Sequence, residues 1–506
     1  MKNKITNVIN LKKKIDFLKK NKKKIVLCHG VFDILHLGHC RHFEKARQLG
    51  DILIVSVTKS QFVFKGTDRP FFSDKIRCEM LSNISTIDFV ILSDERTAVD
   101  IINEIKPDIY VKGAEYKKSS DDILNQINIE RKSVEKYGGK VKFTNDLVFS
   151  SSKILNDKFE MFNEQQKKFL EKIKKKLNFK DLKNQIDKFK NLKILVIGET
   201  IIDKYIFSNP LGKSGKESFL VYKKKNFEDY LGGAAVVTKC INSFANNVNF
   251  LTYLGEKKEY SHMIDKNLKR SDTKIFYKKE SPTIVKTRYV DIENNTKVFG
   301  VYEINSTVDV SLENKMMKYL NKNIRKFDLV MVYDYDHGLI SKKVANFICN
   351  KSKYLVLNYQ LNSANWGFHN LKKYNKADCL VINENEFRTQ LRNKYDKLSL
   401  LVKDFFKQNN IKKIVITRGN SGSIYFERKN KKIIECPAFA NHVVDKIGAG
   451  DSFMSIFSLS LFNKNMVEIS LLFGSLAADI AVNSIGNSQK IDKKTILKRL
   501  DTYFKI

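Results

Sequence analysis

The sequence predicts a two-domain α/β protein. Three observations carry that reading. Short apolar runs alternate with helical stretches from residue 25 to about 155. A second, longer series of the same kind begins at Leu192. The segment between them is Lys-rich, lacks Gly and Pro, and keeps a helical period. At 506 residues the chain is too long for one ordinary core. The boundaries read from these changes are 1–157, a helical linker at 158–191, and 192–506.

In the first domain, residues 25–27, 52–57, 89–92 and 109–111 are strand-like. Helical spacing fills 43–49, 73–82 and 98–105 between them, which predicts a parallel sheet. The linker places Phe162, Phe169, Ile173 and Leu177 at helical period, and its basic face reads as solvated surface. In the second domain, strands are expected at 194–198, 329–332, 354–357, 379–382 and 413–416. Segments near 218–225 and 284–302 alternate apolar and polar residues, as a small β-sheet flap on one side requires. The chain has no internal repeat, and the two domains share no motif.

Composition narrows the function. Lys and Arg number 92 against 56 Asp and Glu, a net charge of +36. Lysine is spread along the whole chain, with no basic block interleaved with stacking aromatics, so nucleic acid is not the expected partner. A positive field suits nucleotides and sugar phosphates instead. Seven cysteines without a CxxC pair fit reduced thiols rather than disulfides or zinc. No apolar run approaches the roughly 20 residues needed to span a bilayer. No apolar signal segment follows the Lys-rich start. The expectation is a cytoplasmic protein with no membrane insertion.

The densest chemical signal is Cys28-His29-Gly30-Val31-Phe32-Asp33-Ile34-Leu35-His36-Leu37-Gly38-His39. A strand breaks at Gly30 and leads into a helix, whose free N–H groups and dipole attract phosphate. Gly38 lets phosphate approach the backbone. His36 and His39 can donate to phosphoryl oxygens as charge builds. The alternative is a pair of helix-start histidines that cap or bind metal. Downstream, Lys65-Gly66 with Arg69-Pro70, Lys112-Gly113, and Ser150-Ser151-Ser152 fall at the ends of successive strands, where open α/β sheets bind ligands.

In the second domain the strongest signal is Asp445-Lys446-Ile447-Gly448-Ala449-Gly450-Asp451. Glycines before a helix form a nest of N–H groups for an anion. Asp451 at the helix start can accept the proton of an attacking hydroxyl. The alternative is a Gly-rich turn with Asp451 as a helix cap.

Residues 25 to about 155 resemble the cytidylyltransferase-like nucleotidyltransferases, specifically the adenylyltransferase half of the bifunctional heptose kinase/adenylyltransferases. Gly30-Val31-Phe32-Asp33, His36-Leu37-Gly38-His39, Lys65-Gly66, Arg69-Pro70, Arg77, Val111-Lys112-Gly113 and Ser150-Ser151-Ser152 carry the likeness. It implies a Rossmann-like fold and attack of a sugar 1-phosphate on the α-phosphorus of a nucleoside triphosphate. It also implies nucleotide contacts from Gly30, Phe32, Asp33, Gly38, Lys112 and Ser150 to Ser152. His36, His39 and the mobile clamp Lys65 would be catalytic, and Arg69 would contact substrate. Residues 192 to about 500 resemble the ribokinase-like sugar kinases. The matching residues are Gly198, Asp203, Gly232-Gly233-Ala234-Ala235, Asn383 with Glu386, Thr417-Arg418-Gly419 with Gly422, the Gly448 to Asp451 run, and Asn483 with Gly486.

That second likeness implies an α/β sandwich with a flap. Asp451 would be the base. Asn383, Glu386, Thr417, Gly422, Gly448, Ala449, Gly450 and Asn483 would lie at the nucleotide, Glu386 would place magnesium, and Asp203, Gly232 and Gly233 would meet the sugar. The chain departs from the family pattern at Val236, Ile447 and Asn358, which implies a different discrimination of the sugar. The kinase domain comes second here, whereas the heptose enzymes place it first.

Together the resemblances imply a bifunctional enzyme of nucleotide-activated sugar synthesis. It would use ATP and Mg2+, with CTP as the alternative nucleotide at the first site. Its partners would be sugar phosphates and nucleoside triphosphates, with a homodimer as an open expectation. The rival reading is a cytidylyltransferase acting on a polyol phosphate. Its kinase-like domain would be altered in specificity or serve as a non-catalytic sugar sensor.

Overall fold

In the computed structural model, residues 4–63, 69–95, 97–113, 126–144, 162–294, 296–440, 443–486 and 488–504 are described. The chain divides into two units, Met1–Asn163 with Lys498–Ile506, and Glu164–Leu497.

The apolar runs of the first unit form a six-stranded, wholly parallel sheet. Its order is Ile5–Thr6, Phe89–Ser93, Ile52–Thr58, Ile25–Gly30, Ile109–Lys112, Lys140–Phe143. The strands read as continuous hydrophobic runs because both faces are covered. Val26, Val55 and Val90 pack on one side with Phe43 and Leu81. Leu27, Ile54 and Ile91 pack on the other with Leu11, Ile102 and Val134. From Ile25–Gly30 the chain builds outward in one direction, then returns to add Ile109–Lys112 on the opposite flank. The crevice beyond the carboxyl ends of these two strands is therefore the topological switch point, where such sheets bind ligands.

The second unit repeats the logic on a larger scale. Its nine-stranded sheet runs Asp272–Lys278, Asn247–Gly255, Lys193–Gly198, Leu329–Asp334, Leu355–Tyr359, Cys379–Asn383, Lys413–Thr417, Ser423–Glu427, Ile433–Cys436. The first seven are parallel, and Ser423–Glu427 runs antiparallel to both of its neighbours. The order reverses between Lys193–Gly198 and Leu329–Asp334. The alternating segments form a separate four-stranded sheet, in the order Thr296–Glu303, Val285–Asp291, Thr200–Lys213, Leu220–Gly232. This is the expected flap, in which Thr200–Lys213 and Leu220–Gly232 reach beyond the 218–225 segment.

Residues 164–191 hold two helices that bury the apolar period and leave much of the basic face exposed. Helix Glu164–Lys174 buries Phe169, Leu170 and Ile173, and helix Phe179–Asp187 buries Leu182 and Ile186. Gln166 donates to the Ala438 carbonyl at 2.6 Å, within the second unit. The helical period was a packing face, and the sequence did not reveal its partner. All seven cysteines are free thiols. Among the described residues, no helix is long and apolar enough to cross a membrane.

Candidate active sites

In the first unit the strand Ile25–Gly30 ends beneath Phe32, whose ring folds back to within 3.0 Å of where a Cβ on Gly30 would lie. Phe32 takes a left-handed φ of 49° and packs edge-on to His39 at 5.6 Å. His36 is the N-cap of helix Leu37–Arg47, and His39 closes a capping box with it. The two imidazoles stack with centroids 4.0 Å apart. The capping geometry and the paired imidazoles thus coexist. Gly38 sits in the first turn between them. Burial lowers the proton affinity of His36, favouring the neutral ring with a single N–H to offer.

Other expected residues of this site already have protein partners. Asp33 accepts from Arg69 Nε at 2.8 Å and from the Phe72 N–H at 3.0 Å. Lys112, at the end of Ile109–Lys112, pairs with buried Glu130 at 3.1 Å. Arg77 is wholly buried and donates to the carbonyls of Val31, Thr58 and Phe72, which ties the loops after three segments together. His29 lies between Ser56 Oγ at 3.1 Å and Thr58 Oγ1 at 3.2 Å, and burial pushes it down to about 3. Lys65, Ser150, Ser151 and Ser152 lie outside the described residues. Glu130 and His29 were not anticipated as neighbours; no motif marks Glu130, whereas His29 directly precedes Gly30.

In the second unit a cavity of about 700 Å³ opens at the switch point. It gathers Asp203, Gly233, Asn383, Glu386, Thr417, Gly422, Gly448, Ala449, Gly450 and Asp451 along one wall or another. Two expected residues do not line it. Gly232 lies behind Asp203, and Asn483 donates to the Asp479 carbonyl at 2.6 Å at the end of helix Val467–Val482.

Asp451 stands in the first turn of helix Ala449–Phe462, behind Gly448 at φ 79°, a backbone setting that glycine adopts without strain. Its carboxyl is buried and accepts from Gln360 Nε2 at 2.9 Å. Burial pushes it up to about 7, against the pull of the Tyr335 hydroxyl. Asp203 pairs with Arg288 at 2.6 Å, and a Cβ on Gly232 would lie 2.2 Å from its Oδ2. Lys286 enters the same cavity from the flap, its proton affinity lowered by burial. Lys286, Arg288 and Gln360 belong to no motif, and no signal marks them beyond Gln360's place in the unusual stretch from Asn358 to Ser363.

Glu386 closes a capping box on helix Glu384–Leu391 by accepting the Asn383 N–H at 3.0 Å. Its other oxygen accepts the Leu361 N–H at 3.2 Å, and burial pushes the carboxyl up to about 7. Asn358 lines the same cavity; its Oδ1 is buried and accepts no hydrogen bond among the described residues. Glu386 and Asn358 bring hard oxygen donors to one cavity, and such donors fit magnesium, which takes one or two protein oxygens and fills the rest with phosphate and water. Ile447 also lines the cavity, whereas Val236 lines a separate, smaller one with Cys240 and Ser452.

The second unit also holds a dense buried charge cluster. Glu199 accepts the N–H groups of Tyr335, His337 and Leu339, and burial together with the Asp334 charge pushes it up to about 7. Asp334 is buried, yet Lys373 at 2.6 Å and His369 at 3.3 Å hold it well below the usual carboxylate range. Asp334, Asp336 and His369 are near enough to share a cation. The Lys373 ammonium, 3.3 Å from Asp336, already supplies one.

Residues 191–494 match the family model described as pfkB family carbohydrate kinase, and residues 27–211 match the one described as cytidylyltransferase-like. Over 111 residues the chain is 40% identical to the bifunctional protein HldE of Helicobacter acinonychis (strain Sheeba), which covers 22% of this chain and 24% of the relative. Over 110 residues it is 46% identical to the bifunctional protein HldE of Campylobacter jejuni (strain RM1221), covering 21% and 24%. The chain thus spans about a quarter of the length of these curated relatives. Among solved structures it is similar to a ribokinase of Arabidopsis thaliana complexed with ribose and ATP. That match has 19% identity, covers 61% of this chain and 99% of that one, and has a TM-score of 0.47. The phosphofructokinase-2 of Escherichia coli gives 12% identity, 62% and 98% coverage, and a TM-score of 0.47.

Proposed function

Since the chain belongs to the pfkB family of carbohydrate kinases, we propose that it is a bifunctional enzyme of nucleotide-activated sugar synthesis. The second unit phosphorylates a sugar phosphate of the heptose type with ATP. The first unit transfers a nucleotidyl group, AMP or alternatively CMP, onto a sugar 1-phosphate. The observation that carries the reading is Asp451, buried at the start of a helix in the large cavity that Asp203 also lines.

In the kinase step Asp203 and Gly233 orient the acceptor. An acceptor hydroxyl oxygen bonds the γ-phosphorus, its proton passes to Asp451, and the bond from the γ-phosphorus to ADP breaks. The N–H groups at Gly448 to Gly450 face the transferring phosphoryl, where a helix N-terminus favours negative charge. Glu386 and Asn358 are the residues that would hold magnesium, which when bound neutralises charge on the phosphates. In the transferase step an oxygen of the sugar 1-phosphate bonds the α-phosphorus and pyrophosphate leaves. No protein nucleophile is required. His36 and His39 act by donating to phosphate oxygens. The likeness of residues 27–211 to the cytidylyltransferase-like family and the partial likeness to the bifunctional HldE proteins support this half.

The test is a substrate screen with the full chain. ATP or CTP is combined with heptose 7-phosphate, heptoses, hexose phosphates and sugar 1-phosphates, and ADP and pyrophosphate are measured separately. Sugar-dependent ADP that disappears in Asp451→Asn supports the kinase. No sugar-dependent ADP from the wild type, and none different in Asp451→Asn, would favour a non-catalytic sugar sensor.

A further inference from the structure

The stretch Asn358-Tyr359-Gln360-Leu361-Asn362-Ser363 is unusual in sequence and leaves the strand Leu355–Tyr359 directly beside Asp451. Its backbone is held at every step. The Gln360 N–H donates to the Asp334 carbonyl at 3.1 Å. The Gln360 carbonyl accepts from Asn365 Nδ2 at 3.2 Å and lies 3.1 Å from His369 Nδ1. The next N–H, of Leu361, donates to Glu386. Asn362 and Asn365 both donate to the Tyr335 carbonyl, at 2.9 and 3.1 Å. His369 in turn stacks on Tyr359 at 4.0 Å and faces Asp334. A loop of this composition would ordinarily be free to move, because surface loops carry few fixed contacts. Here the Asp334 carbonyl on one side, and the Asn365, His369 and Glu386 side chains on the other, fix both peptide groups flanking the Gln360 Cα. Only its side-chain amide points at the cavity, and it ends on Asp451 Oδ1.

We propose that Gln360 is a positioning residue for phosphoryl transfer: its amide donates to one oxygen of Asp451 and so fixes the other toward the acceptor hydroxyl. This rests on the kinase reading above. The donated hydrogen bond favours the ionised carboxylate that a base must be. It does so amid Asp203 and Glu386, whose charges oppose ionisation, and Lys286, whose charge assists it; Tyr335 also faces the group. Arg288 is already committed to Asp203.

Gln360→Met keeps the volume and removes the donor, and Gln360→Glu replaces the donor with a like charge. The pH dependence of kcat/KM is measured for the full chain with ATP and its sugar acceptor. In parallel, the carboxyl of Asp451 is titrated by 13C NMR of aspartate-labelled protein, its signal assigned by loss in Asp451→Asn. Gln360→Met is expected to raise both midpoints by about one pH unit, with the KM for ATP and the thermal midpoint unchanged. Gln360→Glu is expected to raise them further. Unchanged midpoints in both variants overturn the proposal. If the wild type turns over no ATP with any acceptor while the NMR midpoint still moves, the kinase reading falls and the hold of Gln360 on Asp451 stands.

Discussion

Asp33 and Arg69 form an ion pair closed off from solvent, with Arg69 Nε 2.8 Å from Asp33 Oδ2. The second oxygen of Asp33 takes the Phe72 N–H. The pair therefore binds the loop after Ile25–Gly30 to the segment around residue 70, and both groups rely on each other for charge compensation. Asp33→Ala leaves a buried guanidinium unpaired. It is expected to destabilise the first unit by about 3–5 kcal/mol, read as an earlier urea transition for that unit. The second unit's transition should stay where it is.

His36 and His39 share one helix start and one stacking contact, so they act as a pair. His36→Ala and His39→Ala are each expected to lower pyrophosphate release by about 100-fold or more. Sugar-dependent ADP formation should be unaffected. A loss confined to less than tenfold in both variants would mean that the histidines only cap the helix.

Gly232 is required by space. A methyl group there would meet the Asp203 carboxylate at 2.2 Å and displace it from Arg288. Gly232→Ala is expected to cut kcat/KM for the sugar acceptor by about 100-fold, the scale of a 1 Å misplacement. Substrate-independent ATP binding, followed by calorimetry, should be preserved.

Glu386 carries a pH signature in stability. Its carboxyl titrates at about 7 when folded, against 4.5 for the ordinary group. Below pH 4 both states hold the proton and the group is neutral to stability. Between about 4.5 and 7 the unfolded chain releases its proton while the folded one keeps it, so stability falls as pH rises. Glu386→Gln is expected to flatten that fall in the second unit, measured by denaturant midpoints across the window. An equal slope in wild type and variant would contradict the assignment.

The parts of this molecule legible in sequence are those written as patterns. Parallel strands buried on both faces appear as apolar runs, and the flap appears as alternation. The Gly448 to Asp451 run and the His36 to His39 run declare themselves because a helix start and a missing Cβ are local requirements. What stayed hidden depends on distant partners. The helical period at Phe169 and Ile173 was visible, but nothing local says that its partner is Phe439, far along the same unit. Lys286 and Arg288 sit on a strand among many other lysines and arginines, and only the fold of the flap turns them into the cavity. Asp33, Arg69 and Lys112 are all expected from the sequence, while the pairing of Asp33 with Arg69 and the Glu130 partner of Lys112 emerge only in three dimensions.

Glu386 grips two segments at once, the Asn383 helix start with one oxygen and the Leu361 amide with the other. Leu361 adjoins Gln360, so the carboxylate on the nucleotide side and the amide on the base side share one mechanical anchor. A double-mutant cycle between Glu386→Gln and Gln360→Met should accordingly show strong non-additivity in turnover. Neither variant alone then isolates a metal contribution from a loop contribution, and the epistasis between them is the measurement that separates the two.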